Sequence, residues 1–246
     1  MIHGNNSHGF SNEEQIILAI NNKLFKDLND NLKKFIHFIY PDIKSTTLLK
    51  AIKISGTHKP DIVIIINDFR FYISIKIGSS NSVHQEHINS FCTSLNLDSY
   101  TSNCFKFFIW GDNTLDGTGN IDSRMSVAKI KQDFPNIITE INETFKTKKF
   151  EILSRILFSG ASNDRVDYIY YGDSIQGLWA SKNEIIDYLS TFSEERDFNL
   201  KIGFLTCQAW NRSLNGNNDS KRGEIQFKWS SLYHDLLKIS TRRGRD

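Results

Sequence analysis

The chain of 246 residues contains few prolines, few cysteines and almost no excess of charge of either sign. Its three cysteines lie far apart at positions 92, 104 and 207, and their odd number excludes a complete disulfide framework. They are also too few for a zinc cluster, so we expect reduced, structural thiols. The 30 lysines and arginines are balanced by 28 acidic residues, so any basic surface would have to arise from local clustering.

Long hydrophobic runs are also missing. The longest aliphatic run covers residues 62–66, whereas a membrane span requires about 20 apolar residues. Residues 1–10 are polar and contain no apolar core typical of a secretory signal. We therefore expect a cytoplasmic protein without a membrane partner. The composition, with 39% hydrophobic and 24% charged residues, is ordinary for a globular protein.

The hydrophobic patterns predict one α/β domain over residues 1–246, with a central mixed β-sheet flanked by helices. Ser11 and Glu14 have the spacing of a capping box, which predicts that the first helix begins there. A second helix is predicted over residues 82–95 and a strand over residues 104–110. The C-terminal half is expected to add strands to the sheet, together with elements that recognise a ligand.

A β-hairpin is the most distinct local prediction. Two β-branched and aromatic runs, residues 61–66 and 71–77, lie on either side of the turn pair Asn67-Asp68. Both runs are apolar on both faces, which is typical of strands in the interior of a sheet. The hairpin should therefore be central to the fold.

Three polar side chains are predicted to meet on one face of this hairpin. A two-residue turn places Asp61 opposite Ser74, whereas a four-residue loop would place it opposite Lys76. In either register Asp61, Ser74 and Lys76 share a face, because side chains alternate along a strand. Charged groups in such an apolar setting are costly unless they are paired or bind a metal.

The motif Pro60-Asp61 followed by Ser74-Ile75-Lys76 resembles the PD-(D/E)xK nuclease superfamily, which includes most type II restriction endonucleases. The resemblance implies that Asp61 and a second acidic residue hold Mg²⁺, while Lys76 orients or activates the attacking water. Magnesium prefers a few carboxylates and retains waters, which suits phosphodiester cleavage. The order of elements that carries the resemblance covers residues 11–110, the expected catalytic core.

Ser74 replaces the acidic residue that usually precedes the lysine. Some restriction endonucleases have this Ser-x-Lys form, and the resemblance implies that a glutamate on the following helix supplies the missing carboxylate. Glu86 is our first choice for that metal ligand, with Gln85 as the fallback. The superfamily also often carries a glutamate on the helix before the hairpin.

Glu13 and Glu14 both occupy the position of that earlier glutamate. The capping box is the alternative role for Glu14.

Candidates for DNA contact lie in the C-terminal half. Gln226 and Lys228 share one face of a predicted strand, where they could read adenine and guanine or simply face solvent. The polar loop before this strand offers Arg212, Lys221 and Arg222. Dense basic clusters at residues 146–149 and 242–245 could contact phosphates or be solvated ends.

The resulting hypothesis is a Mg²⁺-dependent type II restriction endonuclease that hydrolyses double-stranded DNA at a short specific sequence. The resemblance also allows a homodimer. One alternative is another defence or repair nuclease on the same core. A second alternative is an inactive nucleic-acid-binding module that has lost its second carboxylate. Whether Glu86 lies within metal reach of Asp61 should separate an active nuclease from this binding module.

Overall fold

The computed structural model describes residues 7–79, 81–116, 125–192, 200–210 and 223–244. The α-helices are α1 (Ser7–Ile20), α2 (Asp30–Ile39), α3 (Ile88–Ser94), α4 (Ser99–Trp110), α5 (Val127–Asp133), α6 (Pro135–Thr147), α7 (Lys149–Ser154), α8 (Lys182–Ser190) and α9 (Leu232–Arg243). The strands are β1 (Leu49–Lys53), β2 (Ile62–Ile66), β3 (Phe69–Lys76), β4 (Ser82–His87), β5 (Tyr168–Gly172), β6 (Gly177–Ser181), β7 (Lys201–Ile202), β8 (Leu205–Ala209) and β9 (Glu224–Lys228). None of the helices in these ranges has the length and apolar character needed to cross a membrane.

The chain divides into two compact units. The first unit comprises Met1–Asn81, Phe158–Ile185 and Ser231–Asp246, and the second comprises Ser82–Leu157 and Ile186–Ser230. Neither unit is a continuous segment, and the single domain predicted over the whole chain stays a prediction. Strands from the C-terminal half join the sheets of both units.

The first unit is built on a mixed sheet. Its described strands follow the order β1-β2-β3-β5-β6, in which β3 and β5 are parallel and the other neighbours are antiparallel. Ile20 of α1 and Phe35 of α2 join Ile64 and Ile73 in one buried cluster, because the two helices place their apolar faces on the same side of the sheet. The predicted α/β class with a mixed sheet and flanking helices is confirmed.

The hairpin of β2 and β3 has the register of a two-residue turn, one of the two that the sequence left open, and β3 begins at Phe69, two residues before the predicted strand. Ile66 pairs with Phe69 and Ile62 pairs with Ile73, so that Asp61 lies opposite Ser74 at the end of the ladder. The turn residues Asn67 and Asp68 have φ values of 47° and 70°, as a two-residue type I′ turn requires. Both strands lie in the interior of the sheet, as predicted.

The second unit contains the sheet β4-β9-β8-β7 among its described strands. The buried rings of Phe91, Phe105, Phe145 and Phe227 form its aromatic core, with ring centroids 5.6–6.2 Å apart. These rings come from α3, α4, α6 and β9, so they connect the helices to the sheet.

Two secondary-structure predictions in this unit are wrong. The helix predicted over residues 82–95 begins only at Ile88, because residues 82–87 pair with β9 as a strand. The strand predicted over residues 104–110 is the second half of α4. The apolar run of α4 is buried almost throughout, and a short buried run carries no periodicity that separates helix from strand.

The predicted start of the first helix is also wrong. Helix α1 begins at Ser7, so Ser11 lies inside the helix instead of capping it. Glu14 lies one turn after Ser11, within the same helix.

Candidate functional site

Asp61, Ser74 and Lys76 converge at the open end of the hairpin. The Ser74 hydroxyl donates a hydrogen bond to Asp61 Oδ2 over 3.2 Å, and Lys76 Nζ lies 3.5 Å from the same oxygen. The Asp61 backbone is fixed as well, because its N–H donates to the Ile73 carbonyl and its own carbonyl accepts from Ile54 N–H. The structure thus brings together the three side chains that the alternation of the strands predicted.

Backbone groups complete this arrangement. The Ile75 N–H donates to Asp61 Oδ2 over 2.5 Å, and the Ile75 carbonyl accepts from Lys76 Nζ over 3.0 Å. One carboxylate oxygen and one carbonyl oxygen therefore surround the ammonium group. These are hard oxygen donors of the kind that Mg²⁺ prefers.

The three side chains differ in their exposure. Ser74 is 1% exposed, whereas the side chains of Asp61 and Lys76 remain 22% and 20% exposed. The Ser74 hydroxyl is therefore shielded from solvent, and its hydrogen bond holds the Asp61 carboxylate in place. The carboxylate and the ammonium remain accessible to a ligand from solvent.

Glu13 on α1 is a second carboxylate in the same electrostatic environment. Burial raises the pKa of Glu13, the negative charge of Asp61 raises it further, and Lys53 and Lys76 act in the opposite direction. The side chain is 15% exposed and lies 3.5 Å from Lys53 Nζ. Two carboxylates that repel each other in a partly buried site favour a bound cation.

Glu14 is much more exposed than its neighbour Glu13. Its side chain is 63% exposed, and its Oε1 lies 3.4 Å from Lys53 Nζ. Lys53, at the end of β1, thus links both glutamates, a connection that the sequence analysis did not identify. Glu13 is the more buried of the two, and the negative charge of Asp61 contributes to its raised pKa.

Glu86 lies in the second unit, and its carboxylate is fully engaged there. His84 Nε2 is 2.7 Å from Glu86 Oε1, and Arg155 donates to both oxygens over 2.8 and 2.6 Å. Burial alone would raise the pKa of Glu86, but the hydrogen bonds from His84 and Arg155 outweigh it and lower the pKa. The expected placement of Glu86 on a helix is wrong, and its charge is already balanced by a bidentate arginine.

Of the residues predicted to contact DNA from the last strand and the loop before it, only Gln226 and Lys228 lie in the described part of the chain. Gln226 is 3% exposed, and its amide bonds to Gln208 and to Ser82 within the sheet, which leaves it no access to a base edge in this arrangement. Lys228 is the last residue of β9 and is partly exposed. Gln85, the alternative to Glu86 as a predicted metal ligand, is exposed on β4. The predicted residues Arg212, Lys221 and Arg222 lie outside the described part of the chain.

The basic cluster at the C-terminus has a structural role in part. Arg243 binds the Glu184 carboxylate through two nitrogens, over 2.8 and 3.1 Å, and donates to the Trp179 carbonyl. Its guanidinium also lies 3.9 Å from the centre of the Phe38 ring. These contacts attach α9 to β6, α8 and α2, so this arginine is not a free phosphate ligand.

Asp164 positions the loop that leads to Asp61. Its carboxylate accepts from the Lys59 N–H over 2.7 Å and lies 2.9 Å from His58 Nδ1. Asp167 similarly accepts from the Tyr72 N–H over 3.0 Å. The partners of both aspartates lie about a hundred residues away in the chain, so no local sequence pattern identifies these bonds.

The described residues contain no group of three or more His, Cys, Asp or Glu side chains that could hold a metal ion. A magnesium ion at the hairpin would therefore use the pair Asp61 and Glu13, with the Ile75 carbonyl and water. That donor set fits the ion, because Mg²⁺ is commonly held by one or two carboxylates while it retains several waters.

The fold resembles that of a known nuclease. The crystal structure of restriction endonuclease MspI in complex with its cognate DNA matches 92% of this chain and 93% of that chain, with a TM-score of 0.56 and 14% sequence identity. No protein-family model and no curated protein sequence matches the chain. The chain therefore has a restriction-endonuclease-like fold, with the Asp61, Ser74 and Lys76 cluster at the end of its central hairpin.

Proposed function

We propose that the protein is a Mg²⁺-dependent endonuclease that hydrolyses phosphodiester bonds in double-stranded DNA at a short specific sequence. The observation that carries the proposal is the convergence of Asp61, Ser74 and Lys76 at the end of the central hairpin. A second support is the fold shared with a restriction endonuclease that was crystallised on DNA.

The proposed magnesium ligands are Asp61, Glu13 and the carbonyl of Ile75. Glu13 replaces Glu86 in this proposal, because Glu86 is paired with His84 and Arg155, whereas the pKa of Glu13 responds to the charge of Asp61. When bound, the ion would polarise the phosphate and lower the pKa of a water molecule.

The side chains of the cluster have separate roles in this proposal. The ammonium of Lys76 donates hydrogen bonds and stabilises the negative charge that develops on the phosphate oxygens. Asp61 is held in place by the Ser74 hydroxyl and the Ile75 N–H, so its orientation is set before a substrate binds. Ser74 is thus a positioning residue, and Lys76 and Asp61 are the catalytic residues.

Digestion of a long duplex of mixed sequence tests the proposal. Wild-type protein should produce discrete fragments with Mg²⁺ and none with EDTA. Lys76→Ala should lose cleavage, since its ammonium stabilises the negative charge that develops on the phosphate oxygens, whereas Lys50→Ala, an exposed lysine on β1, should cleave normally. A smear instead of fragments would contradict sequence specificity. DNA binding without any cleavage would favour the inactive binding module.

A further inference from the structure

A cavity lies on the sheet of the first unit next to the proposed catalytic lysine. It has a volume of about 330 Å³, and its walls include Ile77, Tyr171, Leu178 and Tyr233. Ile77 directly follows Lys76 in the chain. Ligand pockets in proteins begin at about this size and are typically apolar with a few polar groups.

The strand register connects the cavity to Lys76. Lys76 of β3 pairs with Tyr171 of β5, and Tyr171 pairs with Leu178 of β6. Paired residues on neighbouring strands lie on the same face, about 4.8 Å apart. A row of paired residues therefore runs across one face of the sheet from Lys76, through Tyr171, to Leu178.

The cavity offers aromatic and apolar surface to a ligand. Tyr233 is 46% exposed and Ile77 is 45% exposed, although both are large and apolar. The rings of Tyr171 and Tyr233 contact each other at 5.7 Å with an angle of 57° between their planes. The Tyr171 hydroxyl donates to the Gly78 carbonyl, which fixes that ring beside the end of β3. Fixed aromatic rings of this kind are stacking surfaces for nucleobases.

The negative charge in the cavity disfavours binding of a phosphate and favours binding of a nucleobase. Among the described residues that line it, Asp173 carries the only formal charge, and that charge is negative. Asp173 Oδ1 accepts from the backbone N–H groups of Ile175 and Gln176, so the carboxylate has a fixed orientation. An anion would be repelled there, whereas the amino group of a base is a suitable donor.

We propose that this cavity binds an unstacked nucleobase of the DNA strand whose phosphate lies at Lys76. The inference rests on the proposed function, because the phosphate beside Lys76 is taken to belong to DNA. The base stacks on Tyr171 or Tyr233, with its polar edge toward Asp173 and its phosphate toward Lys76. The protein would thus move one base out of the helical stack next to the position of cleavage.

Titration of the full chain with deoxyadenosine 5′-monophosphate, followed by NMR signals of labelled tyrosines, tests this site without any cleavage. The expected result is ring-current shifts of Tyr171 and Tyr233, and no such shifts with deoxyribose 5-phosphate, which lacks a base. Tyr233→Ala and Tyr171→Ala should weaken nucleotide binding about 5- to 150-fold, the range that aromatic stacking supports.

Two control variants separate stacking from loss of folding. Tyr233→Phe keeps the ring and should bind the nucleotide like wild type, and Tyr100→Ala removes an exposed tyrosine of the second unit with no effect. Equal shifts with deoxyribose 5-phosphate, or unchanged affinity in both alanine variants, would overturn the site.

The outcome also separates this site from the proposed nuclease function. Nucleotide binding in the cavity by a protein that cleaves no DNA would overturn the nuclease proposal alone. DNA cleavage without nucleotide binding in the cavity would overturn the base site alone.

Discussion

The carboxylate of Asp61 shows how single residues set the chemistry of this site. Its Oδ2 has the Ser74 hydroxyl, the Ile75 N–H and the Lys76 ammonium within 3.5 Å. An uncompensated carboxylate among isoleucines would be strongly unfavourable, so these donors stabilise the charge that a metal would use. All three donors of the site therefore meet at a single carboxylate oxygen.

A comparison of two adjacent glutamates tests the proposed second metal ligand. Glu13→Gln removes a carboxylate near Asp61 and should lower the cleavage rate at least about a hundredfold, because metal charge stabilisation is worth several kcal/mol. Glu14→Gln, one residue away and 63% exposed, should keep most of the rate. Single-turnover cleavage at saturating Mg²⁺ is the measurement. A Glu13→Gln variant as fast as wild type would refute the assignment.

Ser74→Ala is expected to have a small effect on cleavage, because the hydroxyl is one of several groups that hold the Asp61 carboxylate. The variant removes one of three donors to Asp61, a loss of about 1 kcal/mol or about fivefold in rate. The thermal unfolding midpoint should change little, because the alanine fills the buried position without a cavity. A complete loss of cleavage in a folded Ser74→Ala protein would show that the hydroxyl acts on the substrate directly.

At the scale of elements, the hairpin turn is the feature that fixes the register of the site. Asn67 and Asp68 both have positive φ values, and a side chain other than glycine is strained in that region. Asp68→Gly should therefore stabilise the protein by about 0.5–1 kcal/mol, after the greater freedom of glycine in the unfolded chain is subtracted. Urea unfolding measures this change, and a loss of stability in Asp68→Gly would contradict the turn geometry. Asp68→Ala should destabilise and serves as the control.

The ion pair network of β4 is a stability element of the second unit. Glu86 has a lowered pKa and is contacted by His84 and Arg155. A carboxylate with a lowered pKa in the folded state contributes stability above its ordinary value of 4.5, and this contribution is lost as the pH falls through the folded pKa.

Glu86→Gln should therefore be less stable than wild type at neutral pH, because Arg155 loses its buried counter-charge at a cost of about 3–5 kcal/mol. The difference between the two proteins should shrink as the pH falls below 4.5. Chemical unfolding across this range measures it. A constant difference at all pH values would show that the carboxylate charge is not responsible.

Elements with a clear period could be predicted from the sequence, and those defined by distant partners could not. The hairpin and the shared face of its three polar residues could be predicted because alternation and the Asn67-Asp68 turn are local signals, whereas the sequence left two registers open. The strand β4 was missed because its residues gain strand structure by pairing with β9, about 140 positions away. Helix α4 was missed because burial on all sides removes its helical period.

At the scale of the molecule, the site depends on how distant segments assemble. The strand that follows Asp61 pairs with β3, β3 pairs with β5 from the C-terminal half, and the loop before Asp61 is held by Asp164. The three hairpin residues could be predicted because they lie within 16 positions of one another. The place of Glu13 in this electrostatic environment could not be predicted from the sequence, since it depends on how α1 packs in the fold.

The role of Asp61 is tested most directly by measuring DNA cleavage and DNA binding by Asp61→Asn in parallel with wild type. Wild type should cleave duplex DNA only with Mg²⁺, and Asp61→Asn should bind the same DNA with similar affinity but not cleave it. Asp42→Asn, an exposed aspartate outside the site, should cleave like wild type. Cleavage by Asp61→Asn at the wild-type rate would show that Asp61 is not a catalytic residue.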